Sequence, residues 1–180
     1  REEYMLFSEP VSSIYSVLWK NRSDHFNWTS YEDLAGRKIG ASYYHYGAGF
    51  LEAGRSGMFE LDMVATESPE ITHFRKLKAG KVDMFICELS VGLYIRQAHR
   101  PEFDTIDYCD KGIGPTRFFS FALSKKYFAD HGYDPELFME LFNRELLQFA
   151  AEGRRKQIFD SYFMSIALDE NGRVILKEQE

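Results

Sequence analysis

The sequence predicts an α/β fold with parallel-rich sheets flanked by helices, and three observations carry that expectation. Between residues 37 and 98, β-branched and aromatic runs alternate with amphipathic ones in the order strand then helix, three times over. The second helix has its own punctuation: Ser68 as a cap, Pro69 at the first helical position and Gly80 where the helix must stop. A chain of 180 residues, 44% hydrophobic and 16% aromatic, holds enough apolar material for one domain or two small lobes.

Taken in order, IYSVLWK (14 to 20) reads as a strand and NRSDHFNWTSYEDLAG as a polar loop with a short helical turn. RKIGASYY (37 to 44) is then a strand, GAGFLEAGRSGM (47 to 58) a helix, ELDMVAT a strand and SPEITHFRKLKAG a helix. VDMFIC is a strand and ELSVGLYIRQA a helix, so the region is built from βαβ units around a parallel sheet. FDTIDYC and RFFSFALS follow as strands, the latter as one continuous element. DPELFMELFNRELLQFAAEG places Leu137, Phe138, Leu141, Phe142, Leu146 and Phe149 on one stripe, opened by Asp134 and Pro135 and closed by Gly153. A short helix with Ile158, Phe159, Tyr162 and Phe163 apolar comes next, and the tail DENGRVILK reads as a turn and a short strand.

Charge narrows the partners. With 28 acidic against 22 basic residues, the net charge of -6 does not favour nucleic acid or anionic lipid, so no nucleic-acid partner is expected. Arg154-Arg155-Lys156 reads as a solvated helix turn. No apolar run approaches the roughly 20 residues of a membrane helix and no charged-then-apolar leader opens the sequence, which therefore reads as soluble and without an address.

Metal and cofactor signals are absent. The histidines at 25, 45, 73, 99 and 131 never form an HExxH pattern, and Asp169-x-Asn171-Gly172 lacks the remaining ligands of a calcium loop and reads as a turn. Cys87 and Cys109 lack CxxC spacing and close apolar runs; they read as buried thiols, with a bridge between them left open for an oxidising compartment. Asn21 and Asn27 sit in formal glycosylation sequons, which matter only in a secreted eukaryotic protein. Gly47-x-Gly49 precedes a helix, but Glu52 stands where a dinucleotide fingerprint needs its third glycine. No cofactor is expected, although the helix start itself offers N–H groups that suit an anion.

Five blocks, REEYMLFSEPV, DLAGRKIGAS, KLKAGKVDMFIC, FFSFALSKKY and EGRRKQIFDSYF, stand in an order and spacing that resemble the second half of the bacterial extracellular solute-binding protein family 3. Its members include periplasmic amino-acid-binding proteins, and the resemblance runs over about residues 1 to 165. It implies a type II periplasmic-binding-protein-like fold: two lobes with parallel-rich sheets flanked by helices, joined by two hinge crossover strands, with ligand bound between lobes that close by hinge motion. By that resemblance residues 1–20 are a remnant of lobe 1 with the first hinge strand, 21–114 are lobe 2, and 115–180 are the second hinge strand and C-terminal helices returning to lobe 1. The two crossings fall near 12 to 20 and 115 to 122, and lobe 1 is incomplete, because its first strands and helices would ordinarily precede Arg1.

The resemblance implies site residues one by one. Arg1 takes the place of the arginine that holds a ligand's α-carboxylate in a bidentate fork. Glu88, five residues after the aspartate of GKVD, takes the place of the acidic residue that pairs with an α-amino group; the plainer alternative is a helix-start carboxylate held by the dipole. Asp83 of GKVD itself reads as structural. Where amino-acid binders commonly carry Gly-Thr-Thr or Gly-Ser-Thr, this chain has Tyr44, His45 and Tyr46, whose hydroxyls and imidazole can hydrogen-bond an anion or stack on a ring. Strand alternation meanwhile turns Tyr43 towards the core.

The expected function is a noncatalytic, periplasmic or extracytoplasmic receptor for a small polar or zwitterionic ligand such as an amino acid. It would serve an ABC importer or a membrane sensor as partner. The alternatives are an enzyme on the same scaffold, with Glu88 and His45 as acid and base, and a degenerate lobe used for protein interaction.

Overall fold

Strand β3 (Ser16–Asn21) is apolar on both faces, and it lies inside a five-stranded mixed sheet with β4 (Lys38–Ser42), β5 (Glu60–Val64), β6 (Met84–Glu88) and β7 (Ile106–Gly112). The strand order is β5-β4-β6-β3-β7; β4 runs parallel to β5 and β6, whereas β3 runs antiparallel to β6 and β7. This computed structural model describes residues 3–43, 46–162, 165–168 and 174–177.

Three helices follow the three parallel strands: α1 (Ala48–Arg55), α2 (Pro69–Lys78) and α3 (Leu89–Ala98). Side-chain alternation splits the core in two. Val17, Trp19, Phe85 and Cys87 point to one face, with Phe74 and Leu77 of α2 and Leu89 and Leu93 of α3. Leu18, Met84 and Ile86 point to the other, with Phe50 and Ala53 of α1, Trp28, Leu34 and Cys109. Helices on both faces explain why the strands are near-continuous apolar runs. The two thiols are free and belong to opposite faces, so the bridge left open by the sequence does not form.

The chain divides into two compact units: residues 15–116 with 166–178, and residues 1–14 with 117–165 and 179–180. The first contains the five-stranded sheet. The boundaries fall at Ile14/Tyr15 and Thr116/Arg117, so β3, read from sequence as part of the first crossing, is a full member of the sheet. The tail segment, assigned from sequence with the C-terminal helices, contributes β11 (Val174–Lys177), which pairs with β10 (Ser165–Leu168) and lies near β7. The turn read in DENGR lies outside the described residues.

The second unit holds two antiparallel ladders, β1 (Met5–Phe7) with β9 (Ala122–Ser124) and β2 (Ser12–Ile14) with β8 (Arg117–Phe119). RFFSFALS is thus two strands in two sheets rather than one. The Ser8 N–H donates to the Phe121 carbonyl at 2.9 Å and the Phe121 N–H to Ser8 Oγ, which fixes the break between the ladders. A short helix unforeseen in the sequence, α4 (Lys125–Asp130), starts at Ser124, whose Oγ accepts from the Tyr127 N–H.

Helix α5 (Pro135–Ala151) is capped by Asp134, which accepts from the Leu137 N–H at 2.9 Å; α6 (Arg154–Tyr162) follows after Gly153. The expected apolar stripe of α5 is only partly covered: Leu137, Phe138 and Leu141 are 52%, 45% and 41% exposed, and Met139 is the buried residue of the helix. The periodicity is real, and among the described residues Phe121, Phe128 and Arg154 reach the stripe, through Phe142, Phe138 and Phe149.

Candidate functional site

The sheet order locates a site before any ligand chemistry is considered. From β4 the chain steps through α1 to β5 on one side, then crosses back through α2 to β6 on the other side of β4. The order reverses there, and the crevice beyond the carboxyl ends of β4 and β6 is where open α/β sheets bind ligands. Two segments border it: Tyr43 and Tyr46-Gly47 after β4, and Glu88-Leu89 after β6.

The first segment combines one exposed and one buried tyrosine. Tyr43 is 78% exposed, against the expectation from alternation, because β4 ends at Ser42 and is buried on both faces from Ile39 onward, so alternation does not sort its residues. Tyr46 is 5% exposed; its ring meets Phe50 edge-on at 6.1 Å, and its hydroxyl accepts from the Ser42 N–H at 3.1 Å and hydrogen-bonds Ser42 Oγ. Burial raises the Tyr46 phenol above its ordinary value, so it stays neutral. Gly47, at φ 92°, leads into α1 without any side-chain cap, leaving the helix's first N–H groups without a capping side chain. Tyr44 and His45 lie outside the described residues, as does Arg1.

The second segment is organised by Glu88. It is the N-cap of α3: its Oε2 accepts from the Val91 N–H at 2.9 Å and from Ser90 Oγ at 2.5 Å. The carboxylate is therefore held by its own helix through Oε2. The β4/β6 register pairs Ile39 with Met84 and Gly40 with Phe85, so the two parallel strands end at the same end of the sheet, at Ser42 and Glu88. Of the predicted residues, the structure thus brings Tyr46 and Glu88 to the carboxyl end of β4 and β6, Tyr46 as a buried support and Glu88 as a half-buried carboxylate. Asp83 lies at the opposite end, where it accepts from the Lys38 N–H at 2.7 Å and joins two strand starts.

Three contributors escape a reading by motif. Ser42 anchors Tyr46, Ser90 holds Glu88, and Gly114 closes on the Tyr46 carbonyl. Glu70, near the start of α2, is the further acidic group whose charge bears on both Tyr46 and Cys87. Only Gly114 carried a sequence signal, in the Gly-Pro pair at 114–115. Among the described residues no group of His, Cys, Asp and Glu could hold a metal ion, and no helix is long and apolar enough to cross a membrane.

No protein-family model and no curated protein matches the chain. Solved structures do. The second substrate-binding domain of an amino acid ABC transporter from Streptococcus pneumoniae aligns at 26% identity and a TM-score of 0.66, over 91% of this chain and 67% of that one. The second substrate-binding domain of Lactococcus lactis GlnP, in its open conformation, aligns at 23% identity and a TM-score of 0.65, over 93% and 66%. The ancestral amino-acid-binding protein AncCDT-1, described as a precursor of cyclohexadienyl dehydratase, aligns at 17% identity and a TM-score of 0.58, over 91% and 63%. The chain spans about two thirds of the length of these domains.

Proposed function

We infer, from a chain that has the type II fold and the sequence blocks of the family 3 solute-binding proteins, that it is the ligand-recognising part of an extracytoplasmic receptor. Its ligand is a small polar or zwitterionic molecule such as an amino acid, and its partner is a membrane transporter or sensor. The observation that carries this reading is the carboxyl end of β4 and β6, where a helix start at Gly47 without a side-chain cap and a fixed carboxylate at Glu88 lie at the same end of the sheet. A positive helix end suits a carboxylate and Glu88 suits an ammonium, so the pair fits a zwitterion. Tyr43 is exposed for contact with the rest of the ligand, Tyr44 and His45 are proposed to join it on the strength of the sequence resemblance, and the buried Tyr46 is anchored to Ser42.

The solved neighbours support binding over catalysis, although one of them is described as a precursor of a dehydratase. The receptor reading asks no group here to move a proton.

The test is a thermal-shift screen of the full-length protein with the twenty L-amino acids, small dicarboxylates and polyamines. A ligand at about 100 times its dissociation constant adds about 2.7 kcal/mol of stability, an unmistakable shift. No shift with any of these solutes would sink the reading. Glu88→Gln then separates roles: the amide oxygen still caps α3, so stability holds, whereas affinity for an amine-bearing hit falls at least tenfold.

A further inference from the structure

The points at which the chain first enters and first leaves the five-stranded unit are tied to the two segments of the candidate site. At the entry, the Tyr15 carbonyl accepts from the Leu89 N–H at 2.8 Å, and Ser16 pairs with Glu88. At the exit, the Ile113 N–H donates to the Ser16 carbonyl at 2.8 Å, and the next residue, Gly114, lies against the loop before α1. A Cβ built on Gly114 would stand 2.8 Å from the Tyr46 carbonyl oxygen, and one on Gly47 would stand 3.6 Å from the Gly114 Cα and 3.7 Å from Pro115 Cδ. Two glycines, at φ 70° and φ 92°, are thus packed backbone to backbone, two residues before the chain leaves the unit at Thr116. The obstacle is main chain rather than a side-chain tip that could swing aside, so any side chain at 114 must displace the loop.

We propose that Gly114 is a positioning residue for ligand recognition: its bare backbone seats the Tyr46-Gly47 turn, and so links the shape of the binding loop to the strand by which the chain exits this unit. The inference rests on the receptor reading for its purpose but not for its geometry. Tyr46 holds the loop from below through Ser42, and Gly114 holds it from the side. Occupancy that reshapes the loop then acts directly on the exit segment, and the reverse holds equally, since coupling is reciprocal.

The experiment is amide hydrogen exchange on full-length protein carrying Gly114→Ala, with Gly36→Ala as the control. Gly36 sits at φ 74° with nothing within 4 Å of its would-be Cβ, so it shares the backbone strain of Gly114 but not the contact. Exchange in peptides spanning 46–55 is expected to rise at least tenfold in Gly114→Ala and to stay unchanged in Gly36→Ala. If Gly114→Ala does not fold, Pro115→Ala serves: it adds no atom, frees the segment's φ and is expected to raise exchange in the same peptides severalfold. Equal exchange in the Gly114 (or Pro115) variant and the control overturns the proposal. Affinity for whichever of the twenty L-amino acids binds wild type should fall at least tenfold in Gly114→Ala and less than twofold in Gly36→Ala; equal losses also overturn it. If none of them binds while the exchange difference is present, the positioning role stands and the receptor reading falls.

Discussion

The hydroxyl of Tyr46 reaches back four residues to satisfy both the N–H and the Oγ of Ser42 at the end of β4, inside a core from which water is excluded. Tyr46→Phe keeps the ring against Phe50 but leaves two buried polar groups of Ser42 unpaired. The loss should be about 1–3 kcal/mol in urea unfolding, with the m-value unchanged. Ser42→Ala combined with Tyr46→Phe should recover part of it, because then fewer polar groups are stranded.

His73 sets the pH dependence. It is 1% exposed, its ring stacks on Phe85 at 5.7 Å, and neither ring nitrogen has a partner of good hydrogen-bond geometry. Burial depresses its pKa below the ordinary value of 6.5; the nearby Ala41 backbone and Asp62 oppose the shift and Lys76 adds to it. A depressed histidine makes the unfolded chain bind more protons, so the contribution is intact above about pH 6.5 and is lost as pH falls below it. Unfolding free energy measured between pH 7.5 and 5.5 should therefore decline on acidification, by at most about 1.4 kcal/mol per pH unit from this group. His73→Leu should flatten that decline.

Thiol chemistry should be silent in the folded protein. Burial pushes the Cys109 thiol up to about 11 and Cys87 well above its ordinary value, so neither presents a thiolate at pH 8. An aromatic disulfide reagent should label no thiol in native protein and both after denaturation. The melting temperature should not respond to a reductant.

Gly92 of α3 faces the ring of Trp19 so closely that an added Cβ would lie 2.1 Å from it, and that ring is fully buried among Phe74, Phe85 and Tyr108. Gly92→Ala should cost about 1–3 kcal/mol despite the better helix propensity of alanine. Gly54→Ala meets the flexible, half-buried Leu61 instead, so it should cost less; urea unfolding of the two variants checks the order.

What the sequence made legible was local. The limits of α2 follow from Ser68, Pro69 and Gly80, and β4, β5 and β6 follow from short apolar runs with helical patterns between them. What it hid depends on partners distant in the chain. Nothing in RFFSFALS announces that Phe121 bonds Ser8, 113 residues away, and so divides the strand. Tyr43 and Tyr46 look interchangeable in SYYHYGAGF; their opposite burial is decided by Ser42 and Phe50. The stripe of α5 was read correctly as apolar, but periodicity says which side of a helix seeks cover, never what covers it. The role of Glu88 was visible only as two possibilities, and the structure shows its carboxylate engaged by its own helix.

The pairing of Val17 with Gly112 also bears on the order of folding. The unit of β1, β2, β8 and β9 is stitched from segments more than a hundred residues apart, and closing such a loop in an unfolded chain carries a large entropic cost. The intervening residues 15–116 make up most of the other unit and contain both of its cores, and once they fold, β3 and β7 hold Val17 beside Gly112. The ladders then form between ends already brought together. Order in the middle of the chain thus lowers the entropic cost of pairing its two flanks with each other.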